Sequence, residues 1–481
     1  MKNYSVAFTS RVHEALCSHL LQRRRQEDLC FALWRPSTGT SRQSALLYKI
    51  ISPEIGDREL HGNASFYPQY FERALREAVR EGTGLAFLHS HVGPGWQGMS
   101  EDDINAEEGH AGATFGASGL PLVGLTLGTD GAWSARFWPK TAPRTFERRW
   151  CSSVRTVGER LSVTYMDELV PIPRIKTELT RTVSAWGPSA QARFARLHVG
   201  VVGVGSVGCL IAEALARMGV QQISLIDFDL VELVNLDRLL HARHADAVAR
   251  RLKVAMIAAA LRNSATADTF RVHEVPYSVT EGEGYRAALD CDLLFSCVDR
   301  PWGRSVLNHI AYAHLIPVVD GGISVSVTRR SELRGADWKA HTAAPGRRCL
   351  ECLGQYDPGL VSVEKLGLLE DPNYIQGLPR DHEGRRNENV FAFSMGCAYM
   401  ELQQMLSMVL VPAGLSNVGQ QTYHFATGRF DEPLYEKCLP SCYQTGQIAM
   451  GDHSGVTVTG KHPAAEKCRA NFAANDPQIE I

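Results

Sequence analysis

The sequence predicts an α/β protein built on a parallel sheet, preceded by a smaller domain that mixes helices and strands. Three observations carry that expectation. Residues 198–238 pass from an apolar run (Val199 to Val202) through a turn holding Gly203, Gly205 and Gly208 into a helix-patterned segment, Val207 to Met218. A second apolar run, Ile223 to Ile226, then ends in Asp227. Upstream, helical and strand-like patterns alternate, and one strand closes on a pair of histidines, His89 and His91.

A strand feeding a glycine turn and a helix lets backbone N–H groups approach a phosphate at the helix N-terminus. An acid 19 positions after the third glycine suits a ribose hydroxyl. Taken alone, these residues predict a Rossmann-like domain of an NAD-dependent oxidoreductase. The 481 residues have room for two to four domains. A net charge of −2 gives no electrostatic reason to expect nucleic acid or an anionic membrane as a partner. No run reaches the ~18 apolar residues of a membrane helix, and the first residues lack the apolar core of a signal peptide, so the expected location is cytoplasmic. Twelve cysteines spread along the chain favour reduced thiols or metal ligands over disulfides.

Within residues 1–150, the spacing of Val12, Ala15, Leu16, Leu20 and Leu21 predicts a helix from Ser10 to Arg24. Strands are expected at Leu29 to Trp34, Ala45 to Ile51 and Gly84 to Leu88, with a helix over Tyr67 to Glu81 and a loop from Ser52 to Gly62. His89 and His91 fall on one face if the last strand continues through them. Asp103 lies twelve residues further on, with Ser100 three residues before it. Two imidazoles and a carboxylate suit catalytic zinc with a fourth position left to water. Ser100 to Asp103 equally reads as a helix start, a serine N-cap with an acid in the first turn.

Together the two parts, His-x-His, eight residues, Ser, two residues, Asp, resemble the JAMM (MPN-type) metalloproteases, of α+β, cytidine-deaminase-like fold. These hydrolyse peptide or isopeptide bonds at the C-terminus of ubiquitin-like proteins. The resemblance implies His89, His91 and Asp103 as Zn²⁺ ligands, Ser100 as donor to the oxyanion, and Glu27 as general base, with Glu54 and Glu59 as weaker rivals. Val92 stands where the family usually has proline.

A linker is expected over 151–180, and the central domain over 181–450. Beyond Asp227 come Asn235, Arg238 and Lys253; a later apolar strand, Leu293 to Val298, ends in Asp299, with Arg304 five residues on. Strand C-termini face the ligand crevice, so Asp227 and Asp299 can converge on one nucleotide, and basic residues beside them suit a triphosphate. This set resembles the ThiF and MoeB family and the adenylation domain of ubiquitin-activating enzymes. The resemblance implies ATP and Mg²⁺: Gly203, Gly205 and Gly208 form the nucleotide loop, Asp227 binds ribose, Asn235, Arg238 and Lys253 contact phosphates, and Asp299 holds Mg²⁺. Arg304 is a supporting residue or an exposed helix charge. A homodimer through this domain is implied as well.

Cys349 and Cys352, with Cys438 and Cys442, make the four thiolates of a closed structural Zn²⁺ site, although the second pair is spaced by three residues. Residues 353–389 hold no cysteine for a thioester, and Cys397 reads as core packing. The polar tail, 451–481, reads as a loop or docking segment. The expected function is processing of a ubiquitin-like protein followed by adenylation of its C-terminal glycine for conjugation, with a conjugating-enzyme-like partner. Alternatives are activation of a sulfur carrier for sulfur transfer, the oxidoreductase above, and a catalytically inactive binding scaffold.

Overall fold

The computed structural model describes residues 2–22, 25–328, 330, 332–377, 388–456, 458 and 460–475. The chain divides into two compact units. Unit 1 comprises Met1–Ile172, Ala313–Leu315 and Gln447–Gly455, and unit 2 comprises Pro173–Tyr312, Ile316–Gly446 and Val456–Ile481. No helix among the described residues is long and apolar enough to cross a membrane.

Unit 1 is a nine-stranded mixed sheet. Its order across the sheet is Arg149–Trp150, Trp133–Trp138, Leu122–Leu127, Gly84–Ser90, Leu29–Thr38, Arg42–Ile51, Asn3–Thr9, Ser153–Val157 and Leu161–Tyr165. One face packs on the helix Ser10–Leu20 through Leu16 and Leu20. That helix starts where Thr9 Oγ1 accepts the Val12 N–H. The other face packs on Pro68–Glu81, whose Tyr70, Phe71, Ala74 and Ala78 recur at helical spacing, and on Glu101–Ser118 through Ala111. The Glu107–Arg136 ion pair lies fully buried beneath this second face, with Trp138 Nε1 donating to Glu107 at 2.6 Å.

Two expectations are corrected here. Residues 153–157 and 161–165, placed in a linker, are strands of this sheet: Ser153–Val157 runs parallel to Asn3–Thr9, pairing Ser5 with Ser153, and Leu161–Tyr165 lies antiparallel beyond it at the edge. The expected loop at 52–62 contains the strand Arg58–His61, which forms a hairpin with Asn63–Phe66.

Unit 2 is an eight-stranded sheet in the order Arg271–Val275, Gln222–Ile226, His198–Val202, Leu293–Ser296, Val318–Val327, Leu333–Ala343, Gln421–His424 and Arg429–Phe430. The first five strands are parallel and the rest antiparallel. The strands on either side of His198–Val202 are wound in opposite directions, which opens a crevice at their C-terminal ends. Ahead of that strand, the helical lead is broken at Gly187 (φ 85°) and Pro188 into Thr180–Trp186 and Pro188–Ala195. The tail is also corrected: Pro463–Asn475 is a helix of unit 2, with His462 and Ala465 buried.

Candidate functional site

In unit 1 the Gly84–Ser90 strand carries His89, and pairing persists just past its end, where the His91 N–H donates to Leu127 O at 2.9 Å. The two Nε2 atoms lie 3.2 Å apart. Asp103 bridges them, with Oδ1 3.2 Å from His89 and Oδ2 3.3 Å from His91. A tetrahedral ion with ~2.0–2.1 Å bonds separates its ligand atoms by about 3.3 Å, so this donor set fits zinc in both chemistry and spacing. Ser100 caps the Glu101–Ser118 helix: its Oγ accepts the Asp103 N–H at 3.1 Å while its own N–H donates to Asp103 Oδ2 at 2.8 Å. The helix-start and ligand readings therefore coincide, because the cap orients the carboxylate. Accepting through a lone pair leaves the Ser100 O–H proton available.

Glu27 is half-buried; burial pushes its carboxyl up, the nearby His91 pulls it down and the Asp103 charge raises it again. Its rivals are engaged elsewhere, Glu54 with Arg73 at 3.4 Å and Glu59 with the Tyr67 hydroxyl. Behind the histidines, Thr126 Oγ1 lies 3.3 Å from His89 Nε2 and accepts from buried Arg136 at 2.6 Å.

In unit 2 a crevice of about 980 Å³ opens at the strand ends. Gly203, Gly205, Asp227, Asn235, Arg238, Lys253, Asp299 and Arg304 all line it. The three glycines do different work. A Cβ on Gly203, which has φ 85°, would stand 2.5 Å from Cys297 O, and one on Gly208 would stand 2.0 Å from Gly203 O. Gly205 faces open space. Gly208 thus packs tightly against the turn where the Gly208–Arg217 helix begins. Gly205→Ala is expected to leave thermal unfolding without nucleotide unchanged and to weaken ATP binding at least tenfold, whereas Gly208→Ala is expected to destabilise the free protein; differential scanning fluorimetry with and without ATP separates the two.

Asp227 is held by two backbone donors, Val204 N–H at 2.6 Å and Asp229 N–H at 2.7 Å. Burial, joined by the Asp229 charge, pushes its carboxyl up to about 6 while Lys253 opposes. Lys253 Nζ donates to Asp229 at 2.8 Å, and although burial disfavours the ammonium, Asp229 and Asp227 hold its pKa above the ordinary lysine value. Asn235 Oδ1 accepts the Glu232 N–H at 3.0 Å, which leaves its amide N–H groups for a ligand. Arg238 is tied to Val234 O at 2.6 Å and Asp237 at 2.8 Å.

Arg304 is half-buried in the crevice wall and no exposed helix charge: it donates to Asp320 at 3.1 Å and Gly321 O at 2.7 Å. Asp320, which also accepts from Ser296 Oγ at 2.6 Å, was missed in sequence reasoning; it follows the apolar residues 315–319 but lies inside the strand Val318–Val327. Glu401 was missed too. Burial and the Asp320 charge hold its carboxyl well above the usual range, and Cys297 and Cys397 donate to it at 3.8 and 3.5 Å.

The two cysteine pairs of unit 2 converge despite the uneven spacing. Cys349, Cys352, Cys438 and Cys442 offer sulfurs that lie within 4.8 Å of one another, a set that could hold a metal ion. Cys349 and Cys442 are 3.6 Å apart, too far for a disulfide and close to the ~3.8 Å edge of a tetrahedral zinc–thiolate site.

The glycine turn, the strand-end acids and the buried lysine define unit 2 as a nucleotide-binding domain of the doubly wound class. Residues 178–382 match the ThiF family. Over 218 residues the chain is 29% identical to the molybdopterin-synthase adenylyltransferase of Escherichia coli (strain K12), spanning 43% of this chain and 82% of that protein. It is 35% identical over 124 residues to the adenylyltransferase and sulfurtransferase MOCS3 of Sus scrofa, spanning 25% and 26% of the two chains. It is 34% identical over 122 residues to the ubiquitin-like modifier-activating enzyme 5 of Xenopus laevis, spanning 23% and 30%. Thus the chain spans most of the first relative and under a third of the other two. Among solved structures, E. coli MccB with ATP is 17% identical with a TM-score of 0.42, covering 56% of this chain and 74% of that one. The family match begins at residue 178, beyond the Met1–Ile172 segment of unit 1.

Proposed function

We propose that unit 2 adenylates the C-terminal carboxylate of a ubiquitin-like or sulfur-carrier protein. The observation that carries this reading is the convergence of the Gly203 turn, Asp227, Lys253 and Asp299 on one crevice. The carboxylate oxygen attacks the α-phosphorus of ATP, the bond from that phosphorus to the bridging oxygen breaks, and pyrophosphate leaves an acyl-adenylate. Asp227 accepts from the ribose hydroxyl. Lys253 and Arg238 neutralise charge moving onto the leaving pyrophosphate, with Asn235 donating to the same oxygens. Mg²⁺, for which Asp299 is the proposed carboxylate, supplies further neutralisation. The test is ATP–pyrophosphate exchange with a small carrier ending in glycine: exchange that requires the carrier is expected, and none with any glycine-ending carrier would overturn the reading. A homodimer and a conjugating-enzyme-like acceptor belong to the same proposal.

For unit 1 we propose a JAMM-type zinc hydrolase acting on the same end of the same substrate class. It rests on the three-ligand set His89, His91 and Asp103. A zinc ion held there would supply a Lewis acid and would lower the pKa of a water toward ~7. Glu27 would serve as the base for a proton of the attacking water, and the Ser100 hydroxyl would donate to the oxygen that gains charge as the substrate carbonyl becomes tetrahedral. The two sites share a logic: hydrolysis exposes the glycine carboxylate that adenylation consumes.

A further inference from the structure

The tail carries no motif, yet its residues reach the nucleotide crevice. His462, Ala464, Lys467 and Cys468 line it beside Asp227, Phe228 and Asp299. The segment is built in rather than draped over. Arg469 makes a two-point contact with Glu281, at 2.6 and 3.1 Å. His462 Nε2 pairs with Glu364 at 2.9 Å, both side chains being 3% exposed or less. The His462 ring lies between two aromatic rings, with centroids 5.5 Å from Trp302 and 5.2 Å from Phe228. Cys468 donates to Phe228 O at 3.2 Å.

These contacts fix which end of the crevice the helix meets. Phe228 follows Asp227, the acid placed for a ribose, whereas the phosphates belong at the Gly203 turn. The helix therefore meets the nucleoside end. With it docked, the crevice still measures about 980 Å³, at the upper end of the ~300–1,000 Å³ usual for ligand sites, so the helix borders the space without filling it.

We propose that the C-terminal helix Pro463–Asn475 is a wall of the nucleotide site, binding the nucleoside end of ATP through His462, Ala464 and Lys467. This rests on the adenylation reading for unit 2 and adds to it a binding element that lies outside the ThiF match. Undocking the helix opens the nucleoside end to water, and bulk placed on its inner face excludes the ligand.

The test is calorimetric binding of α,β-methylene-ATP with Mg²⁺ to the full chain. Arg469→Ala, which releases the helix from Glu281, and Ala464→Trp, which adds bulk at the crevice without touching an anchor, are each expected to raise Kd at least tenfold. Lys467→Ala, an exposed position, serves where either of those fails to fold, with an expected rise of at least threefold. Parent-like Kd in the folded variants overturns the proposal, as does tighter binding by Arg469→Ala, which would make the helix an obstruction. If the parent binds no nucleotide, the adenylation reading fails and the proposal with it; if the parent binds and the variants match it, only the proposal fails.

Discussion

Lys253→Ala is expected to reduce carrier-dependent ATP–pyrophosphate exchange by about 10²- to 10³-fold, the loss typical of removing one preorganised charge-stabilising donor. The lysine is buried, already charged and already aimed, with Asp229 holding its ammonium at 2.8 Å, so little reorganisation is needed when a phosphate arrives. Arg238 starts from a different position: it holds Val234 O and Asp237 through Nη1 and is more exposed than Lys253, so water screens its charge more. The lysine variant should also move the acid limb of the exchange–pH profile. Lys253 opposes the burial and the Asp229 charge that push Asp227 up to about 6. Without the ammonium, Asp227 gains its proton at a higher pH, so activity that needs the carboxylate falls off earlier as pH drops. A variant that keeps parent-like exchange across the pH range would remove Lys253 from the reaction.

The parts legible in the sequence are those whose chemistry is local. The strand, glycine turn and helix at 198–217 lie within twenty residues, and His89 and His91 share one strand end, so spacing alone places them. Residues 153–157 escaped because all five are buried, which erases the period-2 alternation, and because Arg155 sits among them. Their partner, Asn3–Thr9, is some 150 residues away in sequence. The tail helix escaped for a related reason. It is anchored by the Arg469–Glu281 ion pair and, just ahead of the helix, by the His462–Glu364 hydrogen bond, partners that no local pattern reveals. The differing duties of Gly203, Gly205 and Gly208 are invisible in a motif and become distinct only when a Cβ is tested against the backbone nearby. Asp320 is the instructive miss: like Asp227 it follows an apolar run in the sequence, but its strand continues to Val327, and its partner is Arg304, which the sequence offers to a ligand or to solvent.

In unit 1, Glu27→Gln and Asp103→Ala should separate chemistry from metal binding. Glu27→Gln is expected to retain parent zinc content and to lose about 10²- to 10⁴-fold in hydrolysis of a ubiquitin-like protein carrying a C-terminal extension, since the amide cannot take a proton. Asp103→Ala should lose both, because its carboxylate is one of the three ligand groups. It should also loosen the start of the Glu101–Ser118 helix, where Asp103 Oδ2 accepts the Ser100 N–H. Zinc by elemental analysis and cleavage by mass spectrometry read the two effects independently. The decisive comparison is between them: if Glu27→Gln cleaves at the parent rate while zinc is bound, the base lies elsewhere. If the parent purified with zinc available holds none at this site, the His89, His91 and Asp103 cluster is a hydrogen-bonded triad. In that case the helix cap at Ser100 is its whole structural reason, because the same Ser100–Asp103 hydrogen bonds that would preorganise a ligand also suffice to start a helix.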